Sequence, residues 1–345
     1  MRLLGEDITV LAGHGFDEKG PYLLINDISK AAQYRFSVRN RAFTLKQLPE
    51  RYCVGRFDLL THQKSVCPLQ VKLLPSEQDN MCSACREATG FNPSFYYAET
   101  ISPQQRAYNE TPHYVYLAYF SKQHIKAGIS SETRGIERLL EQGARAACIV
   151  GRFPDAYEAR ILEAALCAQS QILETMRASV KARLLAEEPY KPVEACEALE
   201  ARASALAQID EVTRAGFSLK ESAQDLSHYY FGGPSPDVSE LQLPKGHETE
   251  CAGECLGMVG DKLVMRQGNL GMWFPLKNGL LMRSIFLRER FTSNMSRHRS
   301  RFHYSSSECL GLYKCFSFKR RSGFGRRFLF SQGSFSRNEA FRKLG

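Results

Sequence analysis

Long hydrophobic runs are missing from this 345-residue chain, and no segment approaches the roughly 18 apolar residues of a membrane-spanning helix. The first ten residues reach Gly5, Glu6 and Asp7 before the apolar core of a signal peptide can form. No internal repeat is visible either. Together with eleven irregularly spaced cysteines, these features predict a cytoplasmic protein without membrane contact, whose cysteines are reduced or bind metal.

An excess of positive charge is also missing from most of the chain, although the net charge is +9. Residues 283–345 hold 15 Lys/Arg and 3 Asp/Glu, whereas the preceding residues hold 31 and 34. The charge argument for nucleic-acid binding therefore concerns this last segment alone. Its 12 Ser and 10 Phe show no regular period, which predicts a disordered tail; the alternative is an arm that binds phosphates and stacks on bases.

The rest of the chain predicts an α+β fold. Extended runs near the start give way to helical patterns, from Pro154 to about Leu185 and again up to Gly216, and extended runs return between 240 and 280. We expect the first and last extended parts to pack against each other, with the other parts inserted between them. The predicted segments are a β-rich part (1–52), a cysteine segment (53–112), a small core (113–188), a helical region (189–232), a second β-rich part (233–282) and the tail (283–345).

Four cysteines precede the small core. Cys82 and Cys85 form a CxxC pair, in which two intervening residues let both thiolates reach one ion, and Cys53 and Cys67 can complete a tetrahedral zinc site. The segment has few apolar residues of its own, so a metal would supply folding free energy that packing does not. The alternative is that these are reduced cysteines that fill space in a core. His62 is a spare ligand candidate.

The stretch from His113 to Ala144 differs from its surroundings. Two short apolar runs, "YVYLAYF" and "IKAGI", flank a turn and predict a β-hairpin whose second strand contains Gly128. A helical pattern carrying Arg134 and Arg138 follows, and Glu163 lies on a later helix. A glycine in a strand marks a bulge, or a place where a backbone or a phosphate approaches the sheet closely.

This order of "YVY", "KAG", a helix arginine and a later glutamate resembles the GIY-YIG nucleases. With the preceding cysteines, the chain is more closely similar to an uncharacterised prokaryotic family, classified only as a domain of unknown function. The resemblance covers about Cys53 to Leu166, with weaker similarity after Cys255. It implies a small GIY-YIG-like sheet with flanking helices, next to the cysteine zinc segment and between the two β-rich parts.

The GIY-YIG resemblance also implies roles for individual residues. Tyr116, with Tyr114 as its neighbour, takes the place of the tyrosine that helps to activate water. Arg138 matches the arginine that steadies the phosphate, and Glu163 matches the glutamate that holds one divalent metal, Mg²⁺ or Mn²⁺. Gly128 matches the strand glycine.

Two positions depart from the GIY-YIG pattern. Lys126 stands where the second tyrosine would be, and the longer spacing after Gly128 lets Arg134 compete with Arg138; we assign Gly128, Lys126 and Arg134 to phosphate binding. Phosphodiester cleavage needs an aligned nucleophile, a cation facing the developing charge and a metal at the leaving oxygen. The predicted function is a zinc-containing, metal-dependent nuclease that acts on DNA or RNA.

The alternatives are open at this point. The same core without turnover would be a zinc-containing nucleic-acid-binding protein, and a third class is a partner-binding protein built around the helical pair 157–216. The tyrosines could be half-buried sheet residues, Arg138 a solvated residue paired with Glu137 or Glu141, and Glu163 a surface glutamate. The oligomeric state is not indicated by the sequence.

Overall fold

Two large sheets organise the protein in a computed structural model that describes residues 9–92, 98–187, 190–236, 241–242, 249–267, 270–276 and 280–286. The strands are β1 (Thr9–Asp17), β2 (Gly20–Asp27), β3 (Ala32–Ser37), β4 (Arg41–Tyr52), β5 (Arg56–Phe57), β6 (Lys64–Ser65), β7 (Lys72–Leu73), β8 (His113–Ser121), β9 (His124–Ser131), β10 (Ala146–Phe153), β11 (Ile172–Leu173), β12 (Gln224–Asp225), β13 (Leu241–Gln242), β14 (Glu250–Val259), β15 (Lys262–Gln267), β16 (Leu270–Pro275) and β17 (Leu280–Phe286). The helices are α1 (Ser83–Thr89), α2 (Pro103–Asn109), α3 (Glu137–Gln142), α4 (Ala156–Cys167), α5 (Ala178–Glu187), α6 (Pro192–Leu206), α7 (Asp210–Arg214) and α8 (Ser227–Phe231).

The larger sheet joins the two ends of the described chain. Its strand order is β13-β16-β15-β14-β4-β17-β1-β2-β3, with β7 paired to β4. Strand β4 lies between β14 and β17, which both run antiparallel to it. The expectation that the first and last extended parts pack together is therefore confirmed. Strand β17 crosses residue 283, where the sequence places the start of the tail; residues 287–345 lie outside the described residues.

The smaller sheet has the order β11-β9-β8-β10-β12, which places β8 at its centre. Side chains alternate along β8, so Tyr114 and Tyr116 join the cluster shared with the larger sheet, while Val115 and Leu117 face the other way. Both faces are covered, because α4 and α6 pack on the Val115 side. The predicted mixed α+β class with several sheets is confirmed.

The prediction of one helical stretch from Pro154 to about Leu185 is wrong in one respect, because the structure divides this stretch into α4 and α5. Asp155 is the N-cap residue of α4, and its carboxylate accepts hydrogen bonds from the N–H groups of Tyr157 and Glu158. Helix α4 ends at Cys167, and Gln171 then takes a positive φ of 68° before the chain adds β11 beside β9. None of the helices within the described ranges has the length and hydrophobicity that crossing a bilayer requires.

Candidate functional site

The four cysteines of the predicted zinc segment meet in one place. Cys53 follows β4, Cys67 follows β6, Cys82 is the N-cap residue of α1 and Cys85 lies in its first turn. Their sulfur atoms all lie within 4.8 Å of one another, and the Sγ atoms of Cys67 and Cys82 are 3.9 Å apart. Tetrahedral Zn–S bonds of about 2.3 Å imply sulfur separations of about 3.8 Å. The cluster could therefore hold a metal ion such as zinc.

The surroundings of the sulfur atoms fit a metal-bound thiolate. The N–H groups of Cys82 and Gly55 donate to the Sγ of Cys53 at 3.2 and 3.4 Å. Burial raises the pKa of the Cys53 thiol to about 11, and a bound divalent cation would reverse this by favouring the thiolate. The spare ligand candidate lies elsewhere, because His62 Nε2 hydrogen-bonds the Thr133 hydroxyl at 2.9 Å.

A second group of predicted residues meets around Gly128. Gly128 pairs with Tyr116 across β8 and β9, so the tyrosine ring lies over the glycine. A Cβ atom on Gly128 would be 2.5 Å from the Tyr116 hydroxyl and 3.1 Å from the Nζ of Lys126. The glycine is thus required by a close approach of side chains, and the hydroxyl and the ammonium group lie near the same point.

Arg138 on α3 and Glu163 on α4 act on the same two groups through their charges. Burial raises the pKa of Tyr116; the positive charge of Arg138 lowers it, and the negative charge of Glu163 raises it. Burial lowers the pKa of Lys126, and the negative charge of Glu163 opposes that shift. Tyr116, Lys126, Arg138 and Glu163 therefore form one electrostatically coupled group, here called the Tyr116 cluster.

Glu163 is buried, contrary to the alternative that it is a surface residue. Its side chain is 9% exposed, and its carboxylate accepts a hydrogen bond from Arg160 at 2.6 Å. Arg160 also contacts Glu174, whose side chain is 55% exposed. The guanidinium thus links a buried carboxylate to an exposed one.

The structure places the two remaining predicted residues beside the cluster with other partners. Tyr114 is buried and its hydroxyl donates a hydrogen bond to the carbonyl of Gly135. Arg134 forms an ion pair with Glu141, which lies 4.0 Å from Arg138. The positive charges of both competing arginines lower the pKa of Tyr116, and that of Arg138 has the larger effect.

Residues 77–273 match the family model described as "Protein of unknown function (DUF2797)", which covers more than half of the chain. The chain belongs to the DUF2797 family. The similarity to a domain family of unknown function is thereby confirmed. No curated protein and no solved structure matches the chain.

The DUF2797 match contains the whole Tyr116 cluster, from β8 to α4. It also contains Cys82 and Cys85, whereas Cys53 and Cys67 precede it. Residues outside the matched range therefore supply two of the four sulfur atoms that meet in this DUF2797 chain.

The sequence did not indicate a large cleft next to the Tyr116 cluster. A cavity of about 800 Å³ is enclosed by β1 to β3, by the loop and strands between Phe57 and Lys64, and by α3. Arg138 lines this cleft as well as reaching Tyr116. Its walls come from three distant parts of the chain, so no single stretch of sequence marks it.

We expect Gly128→Ala to lower the free energy of unfolding of the DUF2797 chain by about 1–3 kcal/mol, since the added methyl group would overlap the buried Tyr116 ring. Urea denaturation followed by tryptophan or tyrosine fluorescence measures the change. Gly233→Ala is the control, because a Cβ there meets nothing within 4 Å among the described residues. Equal stability of the two variants would contradict the close approach at Gly128.

Proposed function

We propose that this DUF2797 chain is a zinc-containing, metal-dependent nuclease that cleaves phosphodiester bonds of DNA or RNA at a GIY-YIG-like site. The meeting of Tyr116, Lys126, Arg138 and Glu163 around Gly128 is the observation that carries the proposal. A hydroxyl, two cations and a carboxylate held in one place are groups that phosphoryl transfer uses.

Tyr116, Arg138 and Lys126 would each have a separate role in the cleavage. The Tyr116 phenol is neutral at neutral pH, and burial raises its pKa further, so its hydroxyl would orient an attacking water without losing its proton. The side chain of Arg138 is 35% exposed, so its guanidinium could meet a phosphate and the charge that develops on it. Lys126 adds a second positive charge on the strand that carries Gly128.

Glu163 would hold the Mg²⁺ or Mn²⁺ ion. These cations are commonly bound through one or two carboxylates together with substrate phosphates, which fits a single buried glutamate beside two cationic phosphate-binding groups. When bound, the ion would stabilise charge on the phosphate and on the leaving oxygen. Glu163 could leave its ion pair with Arg160 to bind the metal, because Arg160 would still have its ion pair with Glu174.

Zinc is the metal that we assign to the four cysteines. Four thiol ligands favour zinc over magnesium or calcium, which prefer oxygen. The local apolar core around the sulfur atoms is small, with Leu73 buried and Val71 and Met81 packed against it. The zinc would therefore stabilise the cysteine segment, whose loops form one wall of the cleft.

The alternative is a zinc-containing nucleic-acid-binding protein without turnover. It is favoured by the existing ion pair of Glu163 with Arg160, which satisfies the carboxylate without a metal. In that case Arg138 would contribute to affinity, and no product would form.

Arg138→Ala separates the two proposals. For the nuclease, we expect the single-turnover cleavage rate to fall by about a hundredfold or more, because one partner of the transition-state charge is lost, with a much smaller change in Kd. Rates are measured on end-labelled oligonucleotides with protein in excess, and Kd in chelator. Arg183→Ala, which removes an exposed arginine paired with Glu187, is the control. A defect confined to Kd would support the binding protein instead.

A further inference from the structure

The cleft next to the Tyr116 cluster has an aromatic wall. The rings of Phe57 and Phe91 lie 6.3 Å apart at 51°, and Phe91 is 47% exposed. Tyr108 stands edge-on to His62 at 6.3 Å, and all four rings line the same cavity. Phe57, His62 and Tyr108 are half-buried, and Phe91 is exposed. Accessible rings grouped in a cleft offer faces on which nucleobases stack, and such stacking tolerates any base.

Cationic side chains lie along the same cleft. Lys64 is exposed and forms no ion pair with any described residue, and its Nζ lies 3.0 Å from where a Cβ on Gly13 would sit. Arg35 stacks at 4.0 Å over the ring of Tyr22, and Arg134 and Arg138 line the opposite side on or beside α3. These groups can follow a chain of phosphates from the cavity to the Tyr116 cluster.

Two acidic residues, Glu137 and Glu141, line the cleft and would repel a polyanion, but both have partners within the protein. Glu141 is paired with Arg134. Burial raises the pKa of Glu137, and the neighbouring Glu141 raises it further, while the Tyr22 hydroxyl lies 3.5 Å from its Oε1. Both carboxyl groups are thus engaged at the base of the cleft.

One buried polar atom of the cleft has no partner. The Nδ1 atom of His14 is buried and makes no hydrogen bond within the described residues. Buried polar groups without a partner are uncommon in folded proteins, and a ligand that enters the cavity could supply one.

We propose that this cleft binds a single-stranded segment of the nucleic acid that is cut, with bases stacked on Phe91 and Phe57 and phosphates directed past Lys64 to Arg138. The proposal rests on the proposed function, whose Arg138 lines the cleft. A volume of about 800 Å³ lies within the range of pockets that enclose one small molecule. One strand would enter a cleft of this volume more readily than the two strands of a duplex.

The test measures binding by the full-length protein in chelator, with fluorescence anisotropy of a labelled 12-nucleotide strand and of a hairpin duplex of the same sequence. We expect the single strand to bind more tightly. Phe91→Ala should weaken its binding by about tenfold, as loss of one stacked base does. Lys64→Ala should also weaken it and reduce the slope of log K against log salt by about 0.7.

The cysteine segment offers matched controls outside the cleft lining. Leu69→Ala removes another exposed apolar side chain, and Lys72→Ala another exposed lysine, so both should bind as the wild-type protein does. Circular dichroism and metal content establish that each variant is folded. Comparison within full-length chains cancels any contribution of residues 283–345, which all the proteins share.

The strand proposal is overturned if Phe91→Ala and Lys64→Ala bind like their controls, if the duplex binds as tightly as the single strand, or if a mononucleotide binds as tightly as the 12-mer. Failure of the proposed function gives a different pattern. In that case the single strand still binds through Phe91 and Lys64, and no product forms when Mg²⁺ or Mn²⁺ is added.

Discussion

Glu163→Gln is expected to lower the cleavage rate by about a thousandfold or more, while binding of the nucleic acid is kept or becomes tighter. The substitution removes the one negative charge that the Tyr116 cluster contains and that would hold the divalent metal, and it preserves the size of the side chain. Without that charge, the cations Arg138 and Lys126 remain available for the phosphate. Product formation on a denaturing gel and Kd in chelator measure the two effects.

Glu174→Gln is the matched control for Glu163→Gln. Both carboxylates contact the guanidinium of Arg160, but Glu174 is 55% exposed and Glu163 only 9%. Each substitution leaves Arg160 one charged partner, so a purely structural role predicts similar behaviour of the two variants. We expect Glu174→Gln to cut at close to the wild-type rate; equal rates for both variants would exclude Glu163 as the metal ligand.

The double substitution Cys82→Ala and Cys85→Ala is expected to release the zinc ion and open the cysteine segment. Structural zinc contributes an apparent binding free energy of about 10 kcal/mol or more, comparable to the whole stability of a typical domain. The few apolar residues around the sulfur atoms do not replace it. Metal analysis should fall from about one zinc per chain to none, and limited proteolysis should cut between residues 53 and 92 first.

Cys196→Ala is the control for metal loss, because this partly exposed cysteine lies on α6, outside the four-sulfur cluster. It should keep the metal and the protease resistance of the wild-type protein. Reduced, freshly purified wild-type protein without bound zinc would contradict the assignment, and so would a double variant that keeps its metal.

The four-cysteine cluster and the hairpin could be predicted from sequence because their signals are local. The spacing of the CxxC pair is enough to predict that both thiolates can reach one ion. The alternation of side chains along β8 likewise places Tyr114 and Tyr116 on one face, independently of the rest of the chain. The sequence predicted the contribution of Cys53 and Cys67 less strongly, since two separate loops must bring them to Cys82 and Cys85. The meeting of their sulfur atoms was nevertheless anticipated.

The environment of the site could not be predicted, because it depends on contacts between distant segments. The burial of Glu163 follows from Arg160 and from packing of α4 on β9, neither of which the helical pattern specifies. The break after Cys167 depends on the pairing of β11 with β9, which replaced the continuous helix that the periodicity favoured. The cleft combines residues from β1 to α3, so no single stretch of sequence marks it.

The central claim is that the Tyr116 cluster cuts nucleic acid, and the most direct test is whether the wild-type protein makes product. Full-length protein, with Glu163→Gln beside it, is incubated with end-labelled single- and double-stranded DNA and RNA, in Mg²⁺ or Mn²⁺ and in chelator. We expect product from the wild-type protein with metal only, and none from Glu163→Gln. Binding by the wild-type protein without product on any of these substrates would contradict it.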